Sequence, residues 1–161
     1  MTRLGVGFDA HKLEDGLPLM LGGVHVPSPK GLAGHSDGDV VLHSIIDSLL
    51  GSAALGDMGT YFQSDDPEVP PGISSLLLLE RTRDILDRAH WEVMNIDCTL
   101  VAEQPRISPW TFQMRKNIAD ALGLDIGKVS IKSTTSDGLG FTGNGLGMAA
   151  YAVCGVQEMS K

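Results

Sequence analysis

Apolar and polar residues along the chain follow two periods, one typical of strands and one typical of helices. Five segments predict strands: 3–9, 19–26, 93–102, 128–134 and 148–156. Three segments predict helices: one from Ser36 or Asp37 to about Leu55, then 74–90 and 108–123. The pattern therefore predicts an α+β or α/β sandwich, in which one sheet of about five strands is covered by three helices.

Apolar spacing within these elements also predicts which positions face the core. In the first helix these are 41, 45, 46, 49 and 50, and in the second they are 77, 78, 85 and 86. The last strand is apolar on both faces, so both faces need cover. The intervening segments 27–36, 56–72 and 136–147 predict loops, and the long one, 56–72, is expected to be mobile. Without an internal repeat or an interior boundary, residues 1–161 are expected to form a single domain.

Composition and charge narrow the class of function. The formal net charge is −8, which disfavours nucleic acid and anionic membranes as partners. No apolar run reaches the roughly 20 residues of a membrane helix, and the N-terminus has no apolar leader, so we expect a cytoplasmic protein. A phosphorylated substrate would need metal ions, helix N-termini or backbone N–H groups to neutralise it. Cys98 and Cys154 match no metal or redox spacing, which predicts buried thiols.

Two side chains at the end of the first predicted strand are candidate metal ligands. Asp9 and His11 are two positions apart, so they project from the same face of a strand. A carboxylate and an imidazole provide two of the three protein ligands of a typical catalytic zinc site. The pair alone is weak evidence, because an aspartate near a turn and a surface histidine have the same appearance in a sequence.

A histidine in the first predicted helix is the candidate third ligand. His43 lies two turns into that helix among apolar positions, where an imidazole needs a partner. One interpretation is a core histidine that bonds to Asp47, four residues later on the same helix face. The other is a metal ion shared with Asp9 and His11, which would leave the fourth tetrahedral position open for a substrate.

Two glycine-bearing loops carry further candidates. Asp57, Asp65 and Asp66 lie in the 56–72 loop, where they are either solvated or receive substrate hydroxyls as the loop closes. The segment 132–143 offers hydroxyls and backbone N–H groups to a diphosphate, and its Asp137 offers a carboxylate to a second cation. The same composition is also typical of a hairpin-like loop rich in turn-forming residues.

Five motifs together resemble one family. They are Gly-Phe-Asp-Ala-His at 7–11, Gly-His-Ser-Asp-Gly-Asp-Val at 34–40, Leu-His at 42–43, Ala-Leu-Gly-Asp-Met-Gly at 54–59 and Gly-Phe-Thr-Gly at 140–143. In this order and spacing they resemble the 2-C-methyl-D-erythritol 2,4-cyclodiphosphate synthases, and the resemblance extends from Arg3 to about Val156. No single motif is specific, but the joint pattern is highly specific.

The resemblance implies a homotrimer with active sites between adjacent subunits. It implies a lyase of non-mevalonate isoprenoid biosynthesis. The expected substrate is 4-diphosphocytidyl-2-C-methyl-D-erythritol 2-phosphate, and the products are 2-C-methyl-D-erythritol 2,4-cyclodiphosphate and CMP. The 2-phosphate of the substrate attacks the β-phosphorus of its own diphosphate, so the reaction requires no protein nucleophile.

The resemblance also implies roles for the matching residues. Asp9, His11 and His43 would bind zinc, and a second divalent cation, magnesium or manganese, would lie near Asp137. His35 and Thr135 would stabilise the transition state. The positions that would contact the phosphates, the erythritol unit and the cytosine are Asp9, His11, His35, Ser36, Asp57, Met58, Gly59, Phe62, Asp66, Ala102, Pro105, Arg106, Ile107, Ser108, Thr134, Thr135, Ser136, Asp137 and Phe141.

Some positions depart from the family's common pattern. Ser64 stands where an acidic residue is usual, Asp137 where glutamate is more common, and Gly138 where lysine is frequent. Asn144 and Leu146 replace an arginine and a glutamate that often form a polar collar around a small cavity on the threefold axis. We therefore expect isoprenoid diphosphates to bind weakly or not at all at the axis, while catalysis persists.

Two other functions fit the same residues. A zinc- or manganese-dependent phosphohydrolase would use its metal to activate water and would release phosphate without cyclisation. A trimeric metal- and nucleotide-binding module would bind the same ligands without turnover. The products formed from the substrate distinguish the three hypotheses.

Overall fold

The computed structural model describes residues 1–160. Its strands are β1 (Thr2–Asp15), β2 (Leu19–Leu21), β3 (Val24–Val26), β4 (Lys30–Leu32), β5 (Trp91–Val101), β6 (Val129–Thr134) and β7 (Gly147–Glu158). Its α-helices are α1 (Val40–Ser52), α2 (Met58–Tyr61), α3 (Ser75–Arg88), α4 (Thr111–Leu122) and α5 (Gly140–Gly143). Single 3₁₀ turns at Ser108–Trp110 and Ile126–Lys128 precede α4 and β6.

Five of the strands form one sheet in the order β4-β1-β7-β5-β6. The neighbours β1, β7 and β5 are antiparallel, whereas β6 runs parallel to β5. The three longer helices, α1, α3 and α4, pack against this sheet and against each other. The predicted sandwich of one five-stranded sheet and three helices is therefore confirmed.

The prediction of a single strand at 19–26 is wrong. These residues form the hairpin β2–β3, which turns at Gly22 and Gly23 and makes a separate two-stranded sheet. Both glycines have positive φ, 57° and 73°, which residues with a Cβ adopt only with strain. Their N–H groups donate to the Asp39 carboxylate at 2.9 and 2.7 Å. The fifth strand of the main sheet is instead β4, within the predicted 27–36 loop, and it pairs with the last three residues of β1.

The first long helix begins later than predicted. The N-cap of α1 is Asp39, whose buried carboxylate accepts a first-turn N–H at 3.1 Å, and the predicted caps Ser36 and Asp37 lie in the preceding loop. His43 therefore lies in the first turn of α1, and not two turns into the helix. The five positions predicted to face the core are all fully buried, as expected: Val41, Ile45, Ile46, Leu49 and Leu50.

The core face predicted for the second long helix is confirmed at Leu78 and Leu86, which are buried, but is wrong at Leu77. Leu77 is 39% exposed, whereas Leu79 is fully buried. The leucine run at 76–79 does not fix the phase by itself, because every member of the run is apolar. The predicted loops 56–72 and 136–147 each contain a short helix, α2 and α5. Within residues 1–160, no helix is both long enough and apolar enough to span a membrane.

Two glycines allow α1 to lie directly on β1. A Cβ on Gly7 would lie 1.9 Å from the Ser44 carbonyl oxygen, and one on Gly5 would lie 2.2 Å from the Ser48 carbonyl oxygen. Contacts this short are impossible for a real side chain, so the helix and the strand can approach this closely only at glycine. The next two side chains on the same face of β1 are Asp9 and His11, which consequently point towards the N-terminal end of α1.

The sheet is apolar on both faces but covered on only one. On β7, Ala152 and Cys154 are fully buried beneath the helices, whereas Tyr151 and Val153 on the opposite face are 51% and 48% exposed. The buried thiols predicted at Cys98 and Cys154 are confirmed, and burial raises the pKa of each to about 12. The exposed face continues on β1 through Leu4, Val6 and Phe8.

Candidate functional site

The end of β1 and the first turn of α1 bring three potential metal ligands together. Oδ2 of Asp9 lies 2.9 Å from Nε2 of His11 and 3.0 Å from Nδ1 of His43, and these two nitrogens are 3.1 Å apart. Adjacent ligand atoms of a tetrahedral zinc ion lie about 3.3 Å apart, given bonds of about 2.0–2.1 Å. Among the residues that the structure describes, this is the only group of three or more such side chains that could hold a metal ion.

The second nitrogen of each imidazole has a hydrogen-bond partner that is compatible with metal binding by the first. Nδ1 of His11 lies 2.6 Å from the Ala33 carbonyl oxygen. A carbonyl only accepts, so Nδ1 donates, and the Nε2 of a neutral ring carries a lone pair. Nε2 of His43 lies 2.9 Å from the Ser75 hydroxyl and 3.0 Å from the Ser36 hydroxyl. Partners of this kind orient imidazoles that bind metals.

Electrostatics at the three side chains favour a cation between them. Burial raises the pKa of Asp9, but hydrogen bonds from His11 and His43 in their protonated forms outweigh it and lower the pKa to about 2. The pKa of His11 is raised, chiefly by its hydrogen bond to Asp9, against the opposing effect of burial. Positive charge is therefore stabilised next to the Asp9 carboxylate. A proton on an imidazole provides that charge in the absence of metal, and a divalent cation provides it when the imidazoles are neutral.

A cavity of about 270 Å³ opens beside Asp9, His11 and His43, which are part of its wall. The remainder of its wall is formed by His35, Ser36, Asp47, Met58, Phe62, Ser64, Val69 and Leu78. His35 is tied to the end of the 56–72 segment at two points. Its Nε2 donates to the Val69 carbonyl at 2.8 Å, and its own carbonyl accepts the Gly72 N–H at 2.7 Å.

The 57–66 segment reaches this cavity through α2. Asp57 caps α2 by accepting from the Thr60 backbone N–H and hydroxyl at 3.0 and 2.9 Å. Asp47 does not bond to His43, whose Nδ1 and Nε2 face Asp9 and Ser75. The Oδ1 of Asp47 instead accepts the Met58 N–H at 2.8 Å. Burial raises the pKa of Asp47. Asp66 accepts the N–H of residue 68 at 2.9 Å and is not part of the cavity wall.

The other predicted site residues form a second group, at the ends of β5 and β6. Ala102 follows β5 directly and donates its N–H to the Thr134 carbonyl at 3.0 Å. The turn after it contains Pro105, which follows a cis peptide bond, and the Arg106 guanidinium, which donates to the Ser108 hydroxyl at 3.1 Å. Ile107, the remaining predicted site residue of this turn, is buried.

The loop after β6 is tied to this turn through one carboxylate. Glu103 accepts the Ser136 N–H at 3.0 Å, and the Ser136 hydroxyl lies 2.7 Å from that of Thr142. Thr135 is exposed, and its hydroxyl oxygen accepts the Asp137 N–H at 3.3 Å. The hydroxyl proton of Thr135 is therefore not needed for this contact and can be donated to a ligand.

The two groups line different parts of the surface of one chain. No residue of the 102–108 and 134–137 segments borders the 270 Å³ cavity. A larger cavity, of about 530 Å³, lies between the 27–30 segment and the turn at Glu103, Gln104 and Pro105, but no zinc-ligand candidate borders it. Phe141, at 47% exposure, lies in a shallow pocket that includes His11.

A family model, described as the YgbB family, matches residues 2–157. The chain belongs to the YgbB family. Curated relatives include proteins named 2-C-methyl-D-erythritol 2,4-cyclodiphosphate synthase from Lachnospira eligens and Syntrophomonas wolfei. The first is 48% identical over 98% of this chain and 86% of its own length. The second is 49% identical over 97% of this chain and 99% of its own length.

Solved structures are also similar to this chain. The bifunctional IspDF from Campylobacter jejuni superposes with a TM-score of 0.93 at 35% identity over 99% of this chain, which spans 43% of that longer protein. A structure of IspF from Plasmodium falciparum, described as a CDP complex, has a TM-score of 0.85 at 30% identity. It covers 99% of this chain and 97% of its own length.

Sequence analysis of this YgbB-family chain missed several residues that shape the two groups. Glu103 holds the 134–137 loop, and Ser75 contacts His43, although each is more than 30 residues away from its partner. Asp37 was predicted only as a possible helix cap, yet it holds Ser75. No local pattern identifies such pairs, because their partners meet only in the folded chain.

Proposed function

We propose that this chain is a zinc-dependent cyclodiphosphate synthase of non-mevalonate isoprenoid synthesis. It converts 4-diphosphocytidyl-2-C-methyl-D-erythritol 2-phosphate to 2-C-methyl-D-erythritol 2,4-cyclodiphosphate and CMP. The curated relatives carry the name of this synthase at 47–50% identity across 94–98% of the chain. The observation that carries the proposal is the convergence of Asp9, His11 and His43 beside a cavity that also contains His35 and Ser36.

The residues present suit a reaction without a protein nucleophile. A bond forms between an oxygen of the 2-phosphate and the β-phosphorus, and the bond from that phosphorus to the bridging oxygen breaks. The electron pair of the broken bond remains on the phosphate of CMP. Because the attacking phosphate is already ionised, the protein's task is to fold the substrate back on itself and to neutralise charge.

The metal site and the cavity beside it would both contribute to neutralising the charge of the phosphates. Asp9, His11 and His43 would hold zinc, which acts as a Lewis acid towards phosphoryl oxygens when bound. His35 has its Nε2 fixed by the Val69 carbonyl, so the opposite nitrogen of a protonated ring is free to donate to a phosphoryl oxygen. The Ser36 hydroxyl lies in the same wall and offers a further contact to phosphate.

The second group would hold the nucleotide. Thr135 has a free hydroxyl proton for charge that develops during transfer, and Thr134 and Ser136 flank it in an exposed loop. Asp137 would contribute to a second divalent cation, magnesium or manganese. The turn formed by Ala102, Pro105, Arg106, Ile107 and Ser108 would hold cytosine through its backbone groups. Asp57, Met58, Gly59, Phe62 and Asp66 would contact the erythritol unit, and Phe141 would border the nucleotide.

We also propose that the active enzyme is a homotrimer of single-domain chains. The two groups of site residues border different cavities of one chain, so a site that uses both can form between neighbouring subunits. The exposed face of the sheet supports the same assembly, since it carries five large apolar side chains that are 48–72% exposed: Leu4, Val6, Phe8, Tyr151 and Val153.

Phosphorus NMR of the reaction tests the function. The protein is incubated with substrate, zinc and magnesium, and we expect equal amounts of CMP and the cyclic diphosphate. Release of inorganic phosphate without cyclisation would instead identify a metal-dependent phosphohydrolase. Binding of the nucleotide without any product would identify a binding module, and either result would refute the synthase.

A further inference from the structure

We propose that Asp37 and Ser75 form a positioning pair that fixes the proton of His43 on Nε2 and thereby prepares Nδ1 to bind a metal ion. The inference deepens the proposed function, because it concerns the metal centre of the same site. It assigns a role to two residues, one before α1 and one at the start of α3, that line no part of the cavity.

The first step is that Asp37 accepts two hydrogen bonds from Ser75. Oδ2 of Asp37 accepts the backbone N–H of Ser75 at 3.0 Å, and Oδ1 contacts the Ser75 hydroxyl. Ser75 is fully buried. An ionised carboxylate can only accept, so the hydroxyl proton of Ser75 must point to Asp37.

The second step follows from the direction of that proton. The Ser75 oxygen lies 2.9 Å from Nε2 of His43, and only its lone pairs are available on that side. Nε2 therefore carries a proton, and the neutral ring that a metal ion requires then has its lone pair on Nδ1. Nδ1 is the atom that lies 3.0 Å from Oδ2 of Asp9. A metal ligand needs a lone pair at this atom.

Ser36 does not decide the position of the proton by itself. Its hydroxyl also lies 3.0 Å from Nε2 of His43, and it accepts the Gly38 N–H at 3.3 Å. Its own proton is not bound to a carboxylate, so this hydroxyl can either donate to Nε2 or accept from it. Ser75 can only accept, because Asp37 takes its proton. The carboxylate therefore determines the tautomer of His43 through Ser75.

The result is a site in which none of the three metal-ligand atoms carries a proton when both imidazoles are neutral. Nε2 of His11, Nδ1 of His43 and Oδ2 of Asp9 all present lone pairs within 3.1 Å of one another when the rings are neutral. Lone pairs this close repel unless a cation lies between them. The positioning pair keeps one of these donors in the form that binds metal, and so it raises metal affinity.

The test measures zinc affinity and the His43 tautomer in Ser75→Ala, Asp37→Asn and a control, Ser74→Ala. Ser74 is exposed, and its side chain makes no capping hydrogen bond at the start of α3. Zinc affinity is measured by competition with a chelator. The tautomer is read from long-range nitrogen–proton NMR spectra of the metal-free protein at about pH 9, well above the ordinary imidazole pKa of about 6.5.

We expect Ser75→Ala to weaken zinc binding about 10–100-fold, the usual effect of losing such a partner. In Asp37→Asn the amide can donate to the Ser75 oxygen, which turns the serine proton towards Nε2. That variant should also bind zinc more weakly and should contain His43 with its proton on Nδ1. Ser74→Ala should match the wild type in both measurements.

Wild-type protein with the His43 proton on Nδ1 would overturn the proposal, whatever the variants do. A zinc affinity within about threefold of wild type, in either Asp37→Asn or Ser75→Ala, would also overturn it. Loss of a hydrogen-bond partner of a metal-binding histidine is expected to have a larger effect. Should Ser75→Ala fail to fold by circular dichroism, Asp37→Asn and the wild-type spectrum decide. The synthase assay is independent, since a chain that binds zinc in this way without cyclising its substrate would refute the function alone.

Discussion

Gly7 of β1 lies directly against Ser44 of α1, so that a Cβ on the glycine would be 1.9 Å from the serine carbonyl oxygen. The ligand pair Asp9 and His43 follows from this contact. Asp9 is the next residue on the same face of the strand, and His43 precedes Ser44 in the helix. The separation of strand and helix at Gly7 therefore sets the 3.0 Å distance between the Asp9 carboxylate and the His43 imidazole.

We expect Gly7→Ala to destabilise the protein by about 1–3 kcal/mol or more, because the methyl group forces α1 away from β1. The same displacement should weaken zinc binding. Urea unfolding measures the stability, and chelator competition measures the affinity. The control is Gly51→Ala on α1, where a Cβ meets nothing within 4 Å and a gain of about 0.5–1 kcal/mol is expected. A Gly7→Ala protein as stable as wild type would contradict the role of the contact.

His43→Ala should abolish zinc binding and nearly all turnover while the fold persists, because it removes one of three ligands. Elemental analysis of the purified variant and a turnover assay measure the two effects. His25→Ala is the matched control, since His25 is exposed on β3 and outside the cavity. Full zinc occupancy in His43→Ala would return His43 to the role of a core histidine.

Thr135→Ala should lower turnover by about 10²-fold or more, the usual effect of losing one donor to developing charge. Nucleotide binding should change little, because the contact gains strength only in the transition state. Steady-state kinetics and calorimetric titration with CDP separate the two effects. Thr2→Ala, at an exposed threonine of β1, is the control. An unchanged turnover number would remove Thr135 from the mechanism.

The exposed face of the sheet predicts self-association, and the resemblance to the synthase family implies that the assembly is a trimer. Sedimentation equilibrium should give three chains per particle, and Val6→Glu should give monomers without activity, because a buried glutamate without a partner is costly. The control is Phe112→Glu on α4, whose side chain is also exposed, at 64%. A wild-type monomer at micromolar concentration would argue against both the trimer and the shared site.

Isoprenoid diphosphates should bind weakly or not at all at the threefold axis of the proposed trimer. Asn144 donates its amide to the Gly140 carbonyl at 2.7 Å and carries no charge, and Leu146 is 62% exposed. Neither side chain offers the charge-assisted pairing that a diphosphate favours. Calorimetric titration with geranyl diphosphate, with the active site blocked by a cytidine nucleotide, measures this. Tight binding of one ligand per trimer would be the opposite result.

The sequence by itself determined the features that depend on local spacing. The alternation along β1 placed Asp9 and His11 on one face, and the apolar spacing of α1 identified its five buried positions. The long helices and four of the main strands were predicted near their observed positions, because apolar residues recur with a period of 2.0 or 3.6 residues within each segment. The five motifs identified the family for a similar reason, because their residues, order and spacing can be read directly from the sequence.

Only the tertiary structure decided the features that depend on partners remote in the chain. The last three residues of β1 and the short β4 are strands because they pair with each other, and the 19–26 segment turns where Asp39 binds its glycine N–H groups. The contact between Asp37 and Ser75, which is 38 residues beyond it in the chain, likewise exists only in the folded structure. Hydrogen bonds between distant residues leave no periodic trace in a sequence, so these partners become visible only when the folded backbone brings them within about 3 Å of one another.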